Sequence, residues 1–166
     1  MVTLQKKICM IGDFAVGKTS LVGRFVRQSF SEKYLTTVGV KIDTKLIKLS
    51  EEQEVKLILW DIAGNDALTT TTTSYLRGAA GYILVVDGTR KPTWQSAIQL
   101  QAAVTAQTGN KPFACLLNKA DLREQWEVTP DLVAPQAEQG WKLIESSAQT
   151  GMGVEEAFTW LAWQLL

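Results

Sequence analysis

The chain has 166 residues, 46% hydrophobic and 20% charged, a balance that suits one folded domain and excludes a disordered chain. Its 17 Lys and Arg residues cancel against 17 Asp and Glu, so no net field draws it to nucleic acid or to an anionic membrane. There is no histidine, which removes imidazole from any catalytic or metal-binding scheme.

In chain order, strands are expected over 3–11, 40–49, 53–60, 81–87, 112–118 and 142–145, and helices over 18–27, 92–107, 130–139 and 153–165. The first strand carries the apolar run Lys7-Ile8-Cys9-Met10-Ile11 and leads into Gly12-Asp13-Phe14-Ala15-Val16-Gly17-Lys18-Thr19, which fits the phosphate-binding pattern G-x-x-x-x-G-K-[ST]. After it, Leu21, Val22 and Phe25 share one helical face. Strand, glycine turn and helix start together make an anion cradle, built from the loop backbone of Asp13, Phe14, Ala15, Val16 and Gly17 and the helix start at Lys18, Thr19 and Ser20. Lys18 would reach the outer phosphates, and the Thr19 hydroxyl would ligate Mg²⁺.

The segment 28–39 is polar and without periodicity. The turn Ser50-Glu51-Glu52-Gln53 joins two strand-like runs, which predicts an antiparallel hairpin. The second of these strands ends in Trp60-Asp61-Ile62-Ala63-Gly64. There Asp61 can hold Mg²⁺ through water, and Gly64 allows a backbone N–H close to a terminal phosphate. A bare D-x-x-G is a weak signal that gains weight only from the loop upstream. Residues 62–74 show no helical period, and the β-branched run Thr69 to Thr73 disfavours helix by roughly 3 kcal/mol, so an irregular segment is expected.

Further on, Phe113-Ala114-Cys115-Leu116-Leu117 precedes Asn118-Lys119-Ala120-Asp121. A carboxylate at Asp121 can accept hydrogen bonds from the N1–H and exocyclic amine of guanine, a donor pair that adenine lacks. The Asn118 amide can brace the loop, and the Lys119 stem can lie across the purine. Pro135 falls inside the helix 130–139 and should bend or break it. After the last strand, Glu145-Ser146-Ser147-Ala148 offers a backbone N–H to a guanine carbonyl. On the final helix Val154, Phe158, Leu161 and Leu165 share a face, with Trp163 opposite it and Trp160 oblique to it. Cys9 and Cys115 each sit in a strand and read as core thiols of a reducing compartment.

No run approaches the ~18 apolar residues of a membrane span. The first residues do not form a signal peptide or a myristoylation site, and the chain stops at Leu166 without a cysteine to prenylate. A cytoplasmic protein without a direct membrane anchor is expected. The strand–helix alternation predicts a single α/β domain over 1–166, three-layered, with a six-stranded, mostly parallel sheet that has one antiparallel strand and helices on both faces.

In this order and spacing the motifs resemble the P-loop small GTPases of the Ras superfamily over almost the whole chain. Trp60-Asp61-Ile62-Ala63-Gly64, Thr37-Val38-Gly39-Val40 and Ser74-Tyr75-Leu76-Arg77-Gly78-Ala79-Ala80-Gly81 look most like the Rab branch. The resemblance implies GTP or GDP with Mg²⁺ as ligands, Phe30 against the guanine ring, and Thr37 on Mg²⁺ and the γ-phosphate. Lys18, Thr37 and the residue after Gly64 would then serve hydrolysis. Effectors or regulators would bind through 28–42 and 62–77.

The chain also departs from the pattern. Asn65 stands where the family usually has the glutamine that orients the attacking water, and Phe14 where it has a small residue facing the γ-phosphate. Gln149 replaces a lysine or similar residue beside the purine, and Lys41-Ile42 replaces an acidic and aromatic pair. No counterpart of the long Rab tail used for membrane attachment is expected from this sequence. Two functions stay open: a molecular switch that hydrolyses GTP slowly, and a GTP-binding interaction module or scaffold with negligible hydrolysis, such as a domain of a larger protein.

Overall fold

A computed structural model of the chain describes residues 2–27, 40–62 and 70–166. Six strands, β1 (Val2–Gly12), β2 (Val40–Lys48), β3 (Gln53–Ile62), β4 (Gly81–Asp87), β5 (Phe113–Asn118) and β6 (Lys142–Glu145), form one sheet in the order β2-β3-β1-β4-β5-β6. The β2–β3 pair is antiparallel, closed by Leu49 and Ser50 N–H donating to the Gln53 carbonyl, and every other pair is parallel. This is the mixed sheet expected from the hairpin turn and the helical crossovers.

Parallel strands in the middle of a sheet are covered on both faces and therefore apolar throughout. All seven residues of β4 are buried. The two-residue alternation sends Ile8 and Met10 of β1 into one core and Cys9 and Ile11 into the other. On the first face lie α1 (Lys18–Arg27) and α5 (Val154–Gln164), where the Phe25 and Phe158 rings stack with centroids 4.0 Å apart. The second face is covered by α3 (Lys91–Thr108), with Trp94, Ala97, Leu100 and Val104, and by Val133 of α4 (Pro130–Glu138). Phe158→Ala should cost about 3–5 kcal/mol, because it empties the site where the two helices meet; the shift in denaturant midpoint measures it.

Two local expectations fail. While residues 63–69 of the expected irregular segment lie outside the described residues, Thr70 to Thr73 lie in a helix, α2 (Thr70–Tyr75). Its C-terminal end is anchored by tertiary contacts that outweigh propensity. Leu76 is buried, the Tyr75 ring lies tilted 6.1 Å from Trp60, the Cys9 thiol donates to the Tyr75 carbonyl, and Lys7 Nζ donates to the Arg77 carbonyl at 2.6 Å. Pro135, in turn, does not break α4, which runs on to Glu138. The N–H that proline lacks would have reached Asp131, an exposed residue of the first turn, where water can satisfy the carbonyl.

The remaining side chains follow the periodicity. Cys9 and Cys115 are free and buried, and burial raises both thiols above their ordinary range, Cys9 to about 12 against a smaller opposing pull from Lys7. Trp94 is buried, Trp126, Trp141 and Trp160 are partly buried against the cores, and Trp163 is exposed.

Candidate functional site

The parallel register brings the C-terminal ends of β1, β3, β4 and β5 to one edge of the sheet, the usual place for a ligand in an open α/β sheet. Gly12 stands opposite Val85, Met10 opposite Asp61, and Asp87 opposite Asn118. Four chain segments leave the sheet there, and their side chains converge on the loop between β1 and α1.

That loop is held almost entirely by its carbonyl oxygens. Lys18 Nζ folds back and donates to the carbonyls of Gly12 (3.1 Å) and Asp13 (3.0 Å). Arg90 Nη2 donates to Phe14 (2.8 Å), Lys119 Nζ to Ala15 (3.1 Å) and Asn118 Nδ2 to Val16 (2.9 Å). The Gly17 carbonyl accepts from Leu21 N–H and starts α1. In a trans peptide the C=O of one residue and the N–H of the next point to opposite sides. Fixing the carbonyls of Phe14, Ala15 and Val16 on these donors therefore turns the N–H groups of Ala15, Val16 and Gly17 away from them. Such a nest of N–H groups at a helix start is an anion site.

Two backbone conformations make this path possible. Gly17 has φ +107°, and a Cβ there would lie 2.4 Å from Asn118 Nδ2, so only glycine fits. Ala15 adopts φ +60° despite its methyl group, a cost of about 1 kcal/mol or more that the surrounding bonds sustain.

Lys18 is buried, and desolvation pushes its pKa down to about 8, with Asp61 and then Asp13 pulling the other way. An anion in the cradle would act in the same sense as these carboxylates and favour the charged ammonium. Thr19 Oγ1 donates to Asp61 Oδ2 at 2.6 Å, and Asp61 is buried at the end of β3. No group of three His, Cys, Asp or Glu side chains that could hold a metal occurs among the described residues. A hydroxyl and a carboxylate oxygen side by side nevertheless fit Mg²⁺, which takes hard oxygen ligands and usually keeps only one or two from the protein beside waters and substrate phosphates.

The base-binding candidates form a second, connected group. Asn118 is buried, and its Oδ1 accepts from Ser146 Oγ at 3.1 Å, while its Nδ2 reaches the loop as described. The amide thus ties the loop between β1 and α1 to Ser146. Asp121 is the second residue of a 3₁₀ segment (Ala120–Gln125) that follows Lys119, a residue at φ +70°. Asp121 Oδ1 accepts from Ser147 Oγ at 2.7 Å, which orients an exposed carboxylate. Ser147 N–H is itself committed to the Met152 carbonyl. Arg24 of α1 holds the turn from below, donating to the carbonyls of Ala148 (2.7 Å) and Gln149.

Phe14 is 54% exposed, its N–H taken by Asp13 Oδ1 (2.8 Å), while Asp13 Oδ2 accepts from Ser96 of α3 at 3.1 Å. Ser20 lies partly buried in the first turn of α1. Phe30, Thr37, Gly64 and Asn65 lie outside the described residues. So does most of the segment pair 28–42 and 62–77. Of it, Ile42 is 50% exposed and stands in register with Trp60.

Sequence reasoning missed Asp87 and Arg90. Asp87 ends β4, is 1% exposed, and gathers Lys119 Nζ and Arg90 Nε on Oδ2, both at 2.9 Å, and Thr89 N–H and hydroxyl on Oδ1. Burial alone would raise its pKa, but the bonds from Thr89, Lys119 and Arg90 outweigh it and hold the carboxyl below its ordinary value. An acid closing an otherwise apolar strand was the available signal. Arg90 offered none.

Related sequences cover nearly the whole chain. The Ras family model matches residues 7–166. Ras-related protein Rab-1 of Theileria parva is 39% identical over 94% of this chain and 72% of its own length. The GTP-binding protein ypt2 of Schizosaccharomyces pombe is 35% identical over 94% of this chain and 78% of its own. Ras-related protein Rab-13 of Bos taurus is 34% identical over 96% and 79%.

Proposed function

Since this chain belongs to the Ras family of small GTPases, we propose that it is a guanine-nucleotide switch that binds GTP and GDP with Mg²⁺ and hydrolyses GTP slowly. The observation that carries the reading is the outward bracing of three consecutive loop carbonyls by Arg90, Lys119 and Asn118. In trans peptides this sends the N–H groups of Ala15, Val16 and Gly17 to the side opposite the three donors, and Lys18 and the Thr19–Asp61 pair lie at the same loop. Phosphate recognition would fall to these groups, and guanine recognition to Asp121, with the backbone of Ser147, Ala148 and Gln149 along the base and Phe30 on its face.

Mg²⁺, when bound, neutralises charge between the outer phosphates. Thr19, Thr37 and Asp61 would hold it. Lys18 would give up its carbonyl partners for the phosphates, placing an ammonium where charge develops in hydrolysis. Gly64 would admit a backbone N–H to the terminal phosphate. Segments 28–42 and 62–77 would report the nucleotide state to effectors or regulators. The protein would work in the cytoplasm; among the described residues no helix is long and apolar enough to cross a membrane.

The exposed Phe14 ring on the phosphate loop favours a second reading, a scaffold that binds GTP with negligible turnover. Single-turnover GTP hydrolysis separates the two. The shared premise is tested by titrating labelled GDP against ADP. Lys18→Ala should weaken GDP binding by roughly ten- to a hundredfold, the value of a charge-assisted hydrogen bond or two. Unchanged GDP affinity in that variant would mean that the loop is not the site.

A further inference from the structure

We propose that Arg90 is a positioning residue for the phosphate cradle, acting as the outermost of the three braces that turn the loop N–H groups inward. The proposal rests on the nucleotide reading above and adds to it a residue that belongs to none of the sequence motifs.

Arg90 reaches the loop from the segment between β4 and α3. Its guanidinium is forked: Nε pairs with Asp87 Oδ2 at 2.9 Å, and Nη2 donates to the Phe14 carbonyl at 2.8 Å. The planar fork fixes one direction relative to the other, so the buried carboxylate anchors the guanidinium and the guanidinium anchors the carbonyl. Lys119 repeats the arrangement on the same carboxylate oxygen, Asp87 on one side and the Ala15 carbonyl on the other. Asp87 is thereby the common post of two braces.

The peptide that Arg90 holds joins Phe14 to Ala15, and Ala15 is the residue with φ +60°. Without the brace, that peptide can flip toward ordinary backbone angles and relieve the strain. A flip would carry the Ala15 N–H out of the cradle and replace it with a carbonyl oxygen, which repels phosphate. Arg90 is therefore worth most to ligands that carry phosphates and nothing to the base.

Release of labelled GDP, in excess Mg²⁺, is the measurement. Arg90→Ala should speed GDP dissociation about tenfold, or ~1.4 kcal/mol. Arg90→Lys keeps the charge but has a single nitrogen for both partners, and it should restore part of the loss. Competition by guanosine, which has no phosphate, should be unchanged in both variants. If the wild type does not retain GDP, the nucleotide reading itself fails. If it does and Arg90→Ala releases GDP at the wild-type rate, the brace is irrelevant. Equal losses of GDP and guanosine binding would also overturn the proposal, because Arg90 would then be acting through the fold as a whole.

Discussion

Asp121→Asn should turn a guanine-selective site into one that prefers xanthine. The Asp121 carboxylate is held by Ser147 Oγ at 2.7 Å, so its free lone pairs face a fixed direction. Guanine presents two donors on that edge, N1–H and the exocyclic amine, and both can be accepted by a carboxylate. An amide keeps one acceptor and sets an NH₂ against the guanine amine, two donors face to face. Xanthine carries a carbonyl at that position and would be matched again. Sites built around a polar pairing reject the mismatched partner by on the order of 10⁴-fold, far beyond what a lost methylene could do. Competition of GDP, XDP and ADP for the wild type and the variant reads the change directly. Equal affinity of the wild type for GTP and ATP would remove guanine recognition altogether, and retention of GDP by the variant would move the reading residue elsewhere.

The second large effect is on turnover. Asn65 is one methylene shorter than glutamine, so its amide stops about 1.5 Å short, the length of one C–C bond. A misplacement of about 1 Å can cost on the order of 10²-fold, because the attacking water is no longer held in line. Asn65→Gln should therefore raise single-turnover GTP hydrolysis by up to that factor. Phe14→Gly should add little by itself but open space for an arginine donated by a partner, since the exposed ring sits on the phosphate loop. Wild-type turnover as fast as that of a glutamine-bearing relative, with no gain from Asn65→Gln, would contradict the first statement, and no gain in arginine-stimulated turnover from Phe14→Gly would contradict the second. If Asn65→Gln alone restores the rate, water placement is the defect and Phe14 is only tolerated.

Most of the site could be read from local order because each motif follows a strand, and strands are the most periodic part of this chain. Lys18, Thr19, Asp61, Asn118 and Asp121 each lie within a few residues of an apolar run, and the parallel register then brings the strand ends together. What could not be read was whatever depends on contacts across the chain. Arg90 meets Phe14 at a separation of 76 residues, and no pattern within either segment announces the pairing. The helix at Thr70–Tyr75 fails the propensity argument for the same reason: Leu76 and Tyr75 secure its end against β1 and β3, and the threonines follow. Pro135 is tolerated because the carbonyl it orphans belongs to the exposed Asp131. Propensity describes the isolated segment, while burial decides the folded one.

The open sheet has two edges, and a molecule of zero net charge has no long-range repulsion to keep such edges apart. At one side β6 spans only four residues, too short to template another strand effectively. The other side is β2, nine residues long, with Ile42 and Leu46 half exposed on it. Here the protection is chemical: Lys41, Lys45 and Lys48 punctuate the strand, so a second copy pairing along it in parallel register would stack like charges. Neutralising these lysines would leave Asp43, paired with Arg27 at 3.2 Å, as the one charged side chain of the strand, and a second copy would no longer meet a row of like charges along that edge.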